Sequence, residues 1–171
     1  TPSVVLLVDN SQSMSIVDNT GDRSVKVSEI ISSKVLKNIS DKYPVHKFLF
    51  SDSLYKWKEP DFSGQITSMG IALSELLDTA EKLEIGAVLI LSDGQNNIGV
   101  DPEIVAMSFP FPIHTIGIGD PNPMPDAMVS EIVANPVAYV GEELTVFANI
   151  RGWRLGGTKV NAQLIESGKT I

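Results

Sequence analysis

Short, nearly continuous apolar runs alternate with segments of helical periodicity along the first 120 residues. The four runs are Val4–Val8, Phe48–Phe50, Ala87–Leu91 and Ile113–Ile118. Hydrophobicity without apolar–polar alternation is typical of parallel strands that are buried on both faces. Strands that alternate with helices predict βαβ units. The expected fold class is therefore α/β, with a doubly wound, mostly parallel, Rossmann-like sheet.

Three helices and an edge strand are predicted around these runs. Apolar residues recur at three- and four-residue spacing over Val27–Val35, and more cleanly over Met69–Leu83. A third helix begins after Asp101, a capping residue type, with Pro102 in the first helical position. The alternating segment Ser53–Trp57 predicts an edge strand.

The pattern changes after residue 120. Three prolines lie within "DPNPMPD" (Asp120–Asp126), which predicts a stiff linker. The apolar period then becomes two, first over Leu144–Ile150 and again over Val160–Leu164. This period predicts antiparallel strands that begin an immunoglobulin-like β-sandwich.

The predicted domains are 1–122, an α/β domain, and 123–171, the linker with the sandwich segment. Three or four strands fit before the last residue, whereas a sandwich usually has about seven. We therefore expect the sandwich to be truncated. Its exposed edge makes a second copy of the chain a candidate partner.

Composition excludes several classes of function. The formal net charge is −8 and Lys and Arg form no cluster, so we expect no nucleic-acid partner. The chain has no cysteine, which rules out disulfides, thiolate metal sites and cysteine nucleophiles. No apolar run approaches the roughly 20 residues of a membrane span. Because the sequence starts at Thr1, we expect it to be a piece of a longer protein whose leader or membrane anchor lies outside it.

Oxygen-bearing side chains gather after two of the predicted strands. The first run leads directly into Asp9, and Ser11 and Ser13 follow at two-residue spacing. Asp93 follows the third run in "LILSDGQNN". Ligands of open α/β sheets bind at the carboxyl ends of the strands, where the strand order reverses. If the two strands are neighbours there, both carboxylates face one crevice.

A third element can add another hydroxyl. In "SGQITSMGIAL", Thr67 lies just before the second helix, where it can either cap the helix or turn toward the crevice. Two acids and three hydroxyls, without histidine or cysteine, suit Mg²⁺ or Mn²⁺ and disfavour Zn²⁺ or copper. Mg²⁺ takes six oxygens at about 2.1 Å, so a carboxylate from outside can complete its shell.

These motifs resemble those of von Willebrand factor A-type (VWA) domains, a family that includes the inserted domains of integrins. "DNSQSMS" resembles the D-x-S-x-S signature, "GQITSMGIAL" the segment with the metal-site threonine, and "VLILSDGQNN" the segment with the second aspartate. "PIHTIGIGD" resembles the next core strand. The resemblance covers roughly Ser3 to Asp120, and bacterial membrane-anchored proteins that join this domain to a β-sandwich look most similar.

The resemblance implies a metal ion-dependent adhesion site (MIDAS) and a non-enzymatic role in adhesion or assembly. Ser11 and Ser13 would bind Mg²⁺ directly, Asp9 and Asp93 largely through water, and Thr67 directly or through water. Mn²⁺ or Ca²⁺ are alternative ions. A protein partner would supply Asp or Glu to the metal. The resemblance also implies an exocytoplasmic, membrane-associated location, periplasmic or on the cell surface.

Two other functions stay open. A haloacid dehalogenase-type phosphatase also places a nucleophilic Asp after the first strand, but it needs a second acid where this chain has Ser11. The same metal site would also suit an intracellular VWA partner of an AAA+ ATPase, docking a carboxylate of the ATPase.

Overall fold

The computed structural model describes residues 1–80, 82–122, 126–137, 139, 141, 143–166 and 168–170. They form two compact units, Thr1–Asp120 and Pro121–Ile171. The strands are β1 (Ser3–Asp9), β2 (Val17–Asp18), β3 (Gly21–Asp22), β4 (Val45–Phe50), β5 (Leu54–Lys56), β6 (Ile85–Ser92), β7 (Ile113–Gly117), β8 (Asp126–Ala134), β9 (Val146–Trp153), β10 (Ile165–Glu166) and β11 (Lys169–Thr170). The helices are α1 (Arg23–Ile31), α2 (Lys34–Ser40), α3 (Met69–Thr79) and α4 (Pro102–Ala106), with a 3₁₀ helix at Gln12–Ser15.

The first unit is built on a five-stranded sheet with the order β5-β4-β1-β6-β7. β4, β1, β6 and β7 run parallel, and only the edge strand β5 is antiparallel to its neighbour β4. The α/β class, the mostly parallel sheet and the predicted edge strand are therefore confirmed.

Helices cover both faces of this sheet. Successive side chains of a strand point to opposite faces, and β1 shows the consequence. Leu7 is buried in one core cluster with Leu73 of α3. Leu6 is buried in the other cluster, with Val27 of α1 and Leu36 of α2. A strand with apolar layers on both sides must be apolar throughout, which explains the unbroken run in the sequence.

The predicted first helix is wrong in extent, because the chain forms two helices there. The Ser32 hydroxyl donates to the Ser28 carbonyl at 2.7 Å, and Ser33 begins α2 by accepting from the Leu36 N–H at 3.3 Å. These local serine bonds compete with a continuous helix. Val35 falls on α2 with 68% of its surface exposed, so it does not belong to the apolar stripe of α1.

The other two helices follow the sequence more closely. α3 starts at Met69 as predicted but ends at Thr79, and Leu83 packs against the same core from beyond the helix. α4 begins at Pro102, and the Asp101 carboxylate caps it by accepting from the Glu103 N–H at 2.9 Å. The predicted cap is confirmed.

The second unit contains two separate two-stranded antiparallel ladders, β8 with β9 and β10 with β11. β9 contains most of the predicted strand Leu144–Ile150, and its partner β8 was not predicted. The alternating segment Val160–Leu164 forms no strand, because alternation without a paired neighbour does not make a ladder. A sandwich stays a prediction, and residues 123–125 of the predicted linker lie outside the described residues.

Candidate metal centre

The two predicted acids lie at the carboxyl ends of neighbouring strands. β1 pairs with β4 on one side and β6 on the other, so the strand order reverses at β1. Val8 pairs with Leu91 in the β1–β6 ladder. Asp9 therefore lies level with Ser92, and Asp93 follows one residue later, so both acids occupy the edge where open α/β sheets bind ligands.

Asp9 is a buried carboxyl group without a cationic partner. Its side chain has no exposed surface. Oδ1 accepts from the Ser11 N–H at 2.9 Å, and Oδ2 accepts from the Ser92 hydroxyl at 2.7 Å. Burial raises the pKa of Asp9, the hydrogen bonds from Ser11 and Ser92 oppose that rise, and the negative charge of Asp93 adds to it. Within the described part of the chain Asp9 makes no ion pair.

The two serines of the first loop lie side by side next to this carboxylate. The hydroxyl oxygens of Ser11 and Ser13 are 3.0 Å apart, and Ser11 is buried. Two ligands at right angles around Mg²⁺, each at about 2.1 Å, are themselves about 3.0 Å apart. The serine pair thus has the spacing of adjacent ligands in an octahedral shell.

Thr67 does not cap the second predicted helix. The N-cap position of α3 is Ser68, and the Met69 N–H donates instead to the side-chain oxygen of Asn96 at 2.9 Å. The Thr67 N–H donates to Asn97 Oδ1 at 3.2 Å, and the Asn97 N–H donates to the Thr67 carbonyl at 2.8 Å. Thr67 is buried, and among the described residues its hydroxyl has no hydrogen-bond partner. That hydroxyl is therefore available to a ligand.

The segment before Thr67 is attached to the serine loop. Ser11 and Gly64 form an isolated parallel bridge, and the Gln12 N–H donates to the Gly64 carbonyl at 2.7 Å. Thr67 is thus connected through the backbone to both loops that carry the other candidate ligands. No direct hydrogen bond joins its hydroxyl to the other four predicted side chains in the described structure.

Asp93 already has two hydrogen-bond donors. Oδ1 accepts from the Gln95 N–H at 3.1 Å, and Oδ2 accepts from Nη1 of Arg23 at 2.9 Å. The Asp93 side chain is only 4% exposed. A carboxylate held in this way is well placed to bind a metal through an intervening water.

Sequence reasoning missed two members of this arrangement, Arg23 and Ser92. Arg23 is the first residue of α1 and lies 70 residues before Asp93, so no local pattern connects them. Ser92 had a usable signal. Once β1 and β6 are taken as neighbours in register, the residue opposite Asp9 is Ser92, and a hydroxyl beside a buried carboxylate acts as a hydrogen-bond donor.

The donor set fits a hard divalent cation. Among the described residues, no group of three or more His, Cys, Asp or Glu side chains is arranged to hold a metal ion. The predicted site instead combines two acids with three hydroxyls. Oxygen ligands of this kind suit Mg²⁺ and disfavour softer metals. The buried, unpaired charge of Asp9 and the 3.0 Å serine pair are the observations that favour a cation.

Comparison with known proteins shows the fold. No family model and no curated protein matches the sequence. An aerotolerance-related membrane protein from Bacteroides fragilis is 18% identical with a TM-score of 0.60, over 86% of this chain and 82% of that one. The conserved hypothetical protein BatB from Bacteroides thetaiotaomicron is also 18% identical, with a TM-score of 0.56 over 87% and 80%.

A more distant likeness is to proximal thread matrix protein 1 from the mussel byssus. It is 17% identical with a TM-score of 0.52, over 68% of this chain and 37% of that one. At these identities the likenesses establish a shared fold. In the described part of this chain, no helix combines the length and the hydrophobicity needed to span a bilayer.

Proposed function

We propose that the first unit is a VWA-type domain that binds a protein partner through Mg²⁺ at the crevice above β1 and β6. The observation that carries the proposal is the Asp9 carboxylate, buried without a cation beside the paired hydroxyls of Ser11 and Ser13. Burying an unpaired charge is costly, and a bound metal ion removes that cost.

Each predicted ligand has a role consistent with its contacts. Ser11 and Ser13 bind the ion directly through hydroxyl oxygens that lie 3.0 Å apart. Asp9 and Asp93 act mainly through water, because their oxygens already accept hydrogen bonds. Thr67 binds directly or through water. Few charged ligands contact the ion directly, so its positive charge is only partly compensated. The ion can therefore bind a carboxylate from the partner.

The surface around the site favours a protein over a small molecule as partner. Three apolar side chains are exposed on the three loops that carry the candidate ligands, namely Ile16 (42%), Ile66 (40%) and Ile98 (48%). Apolar side chains beside a polar anchor are typical of protein interfaces. We therefore expect the partner to offer Asp or Glu next to apolar residues.

The burial of Asp9 also counts against the phosphatase alternative. A nucleophilic aspartate must reach the phosphorus of its substrate, whereas Asp9 has no exposed surface and both of its oxygens accept hydrogen bonds. We propose a binding function without catalysis.

We further propose that Pro121–Ile171 is part of an immunoglobulin-like sandwich and that the protein works outside the cytoplasm, attached to a membrane by segments outside this sequence. The antiparallel pair β8–β9 exposes Met128, Val133 and Phe147 on one face, and an exposed apolar sheet face of this kind favours a covering layer. The name of the neighbour from B. fragilis, a membrane protein, is consistent with this location. Static light scattering at high concentration tests whether a second copy covers the strand edge.

Thermal unfolding tests the metal site. Wild type is heated in EDTA, Mg²⁺, Mn²⁺ and Ca²⁺, next to Asp9→Ala and the control Glu29→Gln, which removes an exposed charge of α1. A ligand at a hundredfold excess over Kd stabilises the folded state by about 2.7 kcal/mol. We expect Mg²⁺ and Mn²⁺ to raise Tm in wild type and in the control but not in Asp9→Ala. If calorimetry detects no Mg²⁺ binding to wild type, the proposal is wrong.

A second titration tests the open coordination position. Mg²⁺ affinity is measured by calorimetry with and without acetate, a minimal carboxylate, at constant ionic strength. If a carboxylate completes the metal shell, acetate tightens Mg²⁺ binding and Mg²⁺ tightens acetate binding by the same factor. Independence of the two ligands would argue against recognition of a carboxylate.

A further inference from the structure

Arg23 lies against the candidate metal centre without belonging to the predicted ligand set. Its Nη1 donates to Asp93 Oδ2 at 2.9 Å and to the Ser13 carbonyl at 3.0 Å. Its Nε donates to Asp18 Oδ2 at 2.8 Å. One guanidinium therefore contacts the serine loop and the Asp93 loop, two of the three loops that carry candidate ligands, and only 13% of its side chain is exposed.

The guanidinium is held in one place. A Cβ added at Gly119 would lie 2.6 Å from Arg23 Nε and 2.8 Å from Cζ, so the guanidinium lies directly against the glycine backbone. The Asp18 carboxylate that anchors Nε also accepts from the Asp120 N–H at 3.0 Å. Arg23 is thus a fixed positive charge, unlike a mobile arginine at the surface, and a fixed charge acts on its neighbours with little screening.

The guanidinium compensates part of the Asp93 charge before any ion binds. Arg23 lies between two carboxylates, with Asp18 on Nε and Asp93 on Nη1. Counted with Asp9, the three carboxylates balance Arg23 and one divalent ion. Oδ2 of Asp93 is shared with Arg23, so it attracts a cation less strongly than a free carboxylate would. An anionic ligand that joins the ion adds the attraction that Asp93 does not supply.

We propose that Arg23 sets the specificity of the metal centre by withholding part of the Asp93 charge from the ion. Mg²⁺ then binds the free domain loosely and binds firmly only together with an anionic ligand such as a carboxylate. The inference rests on the proposed function. It makes Arg23 the residue that causes the affinity for Mg²⁺ to depend on the partner's carboxylate. Arg23 acts through Asp93 and Ser13 and is not itself a ligand.

The test isolates the charge of Arg23 from its structural role. Replacing Arg23 alone leaves the buried Asp18 unpaired, so the reference protein is Asp18→Asn, which keeps Arg23 and its bond to Asp93. Arg23→Gln and Arg23→Lys are each added to this reference, and Arg23→Gln is also made in wild type. Calorimetry measures the Mg²⁺ Kd of each protein with and without acetate at constant ionic strength, after circular dichroism has verified folding.

We expect Arg23→Gln to tighten Mg²⁺ binding about fivefold or more, because a nearby positive charge has been removed. Acetate should then strengthen Mg²⁺ binding less than it does in the reference. Arg23→Lys keeps the charge and should stay close to the reference. Damage to the site would weaken Mg²⁺ binding in both variants, so a gain in affinity cannot come from lost structure.

The outcomes separate the two proposals. Mg²⁺ binding that is unchanged or weaker in Arg23→Gln, while wild type binds Mg²⁺, overturns the role of Arg23 and leaves the metal site standing. Equal tightening in Arg23→Lys also overturns it, because the charge is then irrelevant. Absence of Mg²⁺ binding in wild type and in every variant overturns the metal site and this inference together.

Discussion

The hydroxyl of Ser92 donates to Oδ2 of Asp9 at 2.7 Å, across the ends of two neighbouring strands. Ser92→Ala removes this bond and leaves a buried carboxylate oxygen without a donor. Hydrogen bonds to charged groups contribute about 1.5–3 kcal/mol. We expect the free energy of unfolding in EDTA to fall by roughly that amount, and Mg²⁺ to bind more weakly because Asp9 then holds a proton more readily.

Ser3→Ala is the matched control for Ser92→Ala. Ser3 is also buried, at the other end of β1, where its hydroxyl donates to the Leu83 carbonyl at 2.5 Å. Urea unfolding should show a loss of stability in both variants, whereas calorimetry should show weaker Mg²⁺ binding only in Ser92→Ala. Equal Mg²⁺ affinities in the two variants would contradict the prediction.

Gly119→Ala should destabilise the first unit. Gly119 has a φ of +106°, which side-chain-bearing residues rarely adopt, and its new Cβ would meet the Arg23 guanidinium at 2.6 Å. We expect a loss of about 1–3 kcal/mol in the free energy of unfolding. Gly117→Ala, where a Cβ would meet nothing within 4 Å, is the control. Comparable urea midpoints for the two variants would refute the close approach of Arg23.

The ion pair of Arg23 with Asp18 predicts a dependence of stability on pH. Hydrogen bonds from the Thr20 hydroxyl and then from Arg23 hold the pKa of Asp18 well below its usual value of 3.8. From about pH 5 upward neither the folded nor the unfolded state binds a proton here, so the stabilisation is complete. As the pH falls further, the unfolded state takes up the proton first and the stabilisation is lost.

Asp18→Asn measures this contribution. Its deficit in unfolding free energy relative to wild type should be constant from about pH 5 to 7 and should shrink below about pH 4. Chemical unfolding of both proteins in EDTA at several pH values provides the comparison. If the deficit in unfolding free energy stays the same at the lowest pH at which wild type is still folded, the carboxylate charge is not what stabilises the fold.

Asn97→Ala should weaken Mg²⁺ binding severalfold by releasing Thr67. The Asn97 side chain supplies one of the two hydrogen bonds that hold the Thr67 backbone against the Asp93 loop. Asn96→Ala is the control, because Asn96 accepts from the first N–H of α3 and its loss costs about 1 kcal/mol of helix capping. Calorimetry should show weaker Mg²⁺ binding in Asn97→Ala alone. If the Mg²⁺ affinity of Asn97→Ala is unchanged, Thr67 is not a ligand of the metal.

The sequence was most informative where one local pattern determined the structure. The unbroken apolar run before Asp9 predicted a strand buried on both faces, and the cap at Asp101 predicted the start of α4. Arg23 could not be found in this way, because its contacts with Asp93 and Gly119 exist only after the sheet has brought distant loops together.

Two of the secondary-structure predictions were wrong for a physical reason that apolar periodicity does not reflect. Serine hydroxyls can bond the backbone and divide a helix, as they do between α1 and α2, even when apolar spacing continues through the break. The segment Val160–Leu164 alternates like a strand but lacks a paired neighbour. Pairing depends on the rest of the chain, which local alternation does not describe.

The position of β1 in the middle of its sheet has a consequence for how the crevice responds to an ion. A strand bonded on both sides opens only when the whole unit unfolds, so its amide hydrogens should exchange slowest of all. Asp9 is its last residue, and Ser13 follows four residues later. We therefore expect the candidate oxygens to be positioned by folding before an ion arrives, so that little of the binding free energy of the proposed ion is used to order the chain. If the proposed partner exists, we expect most of the structural adjustment on binding to occur in that partner.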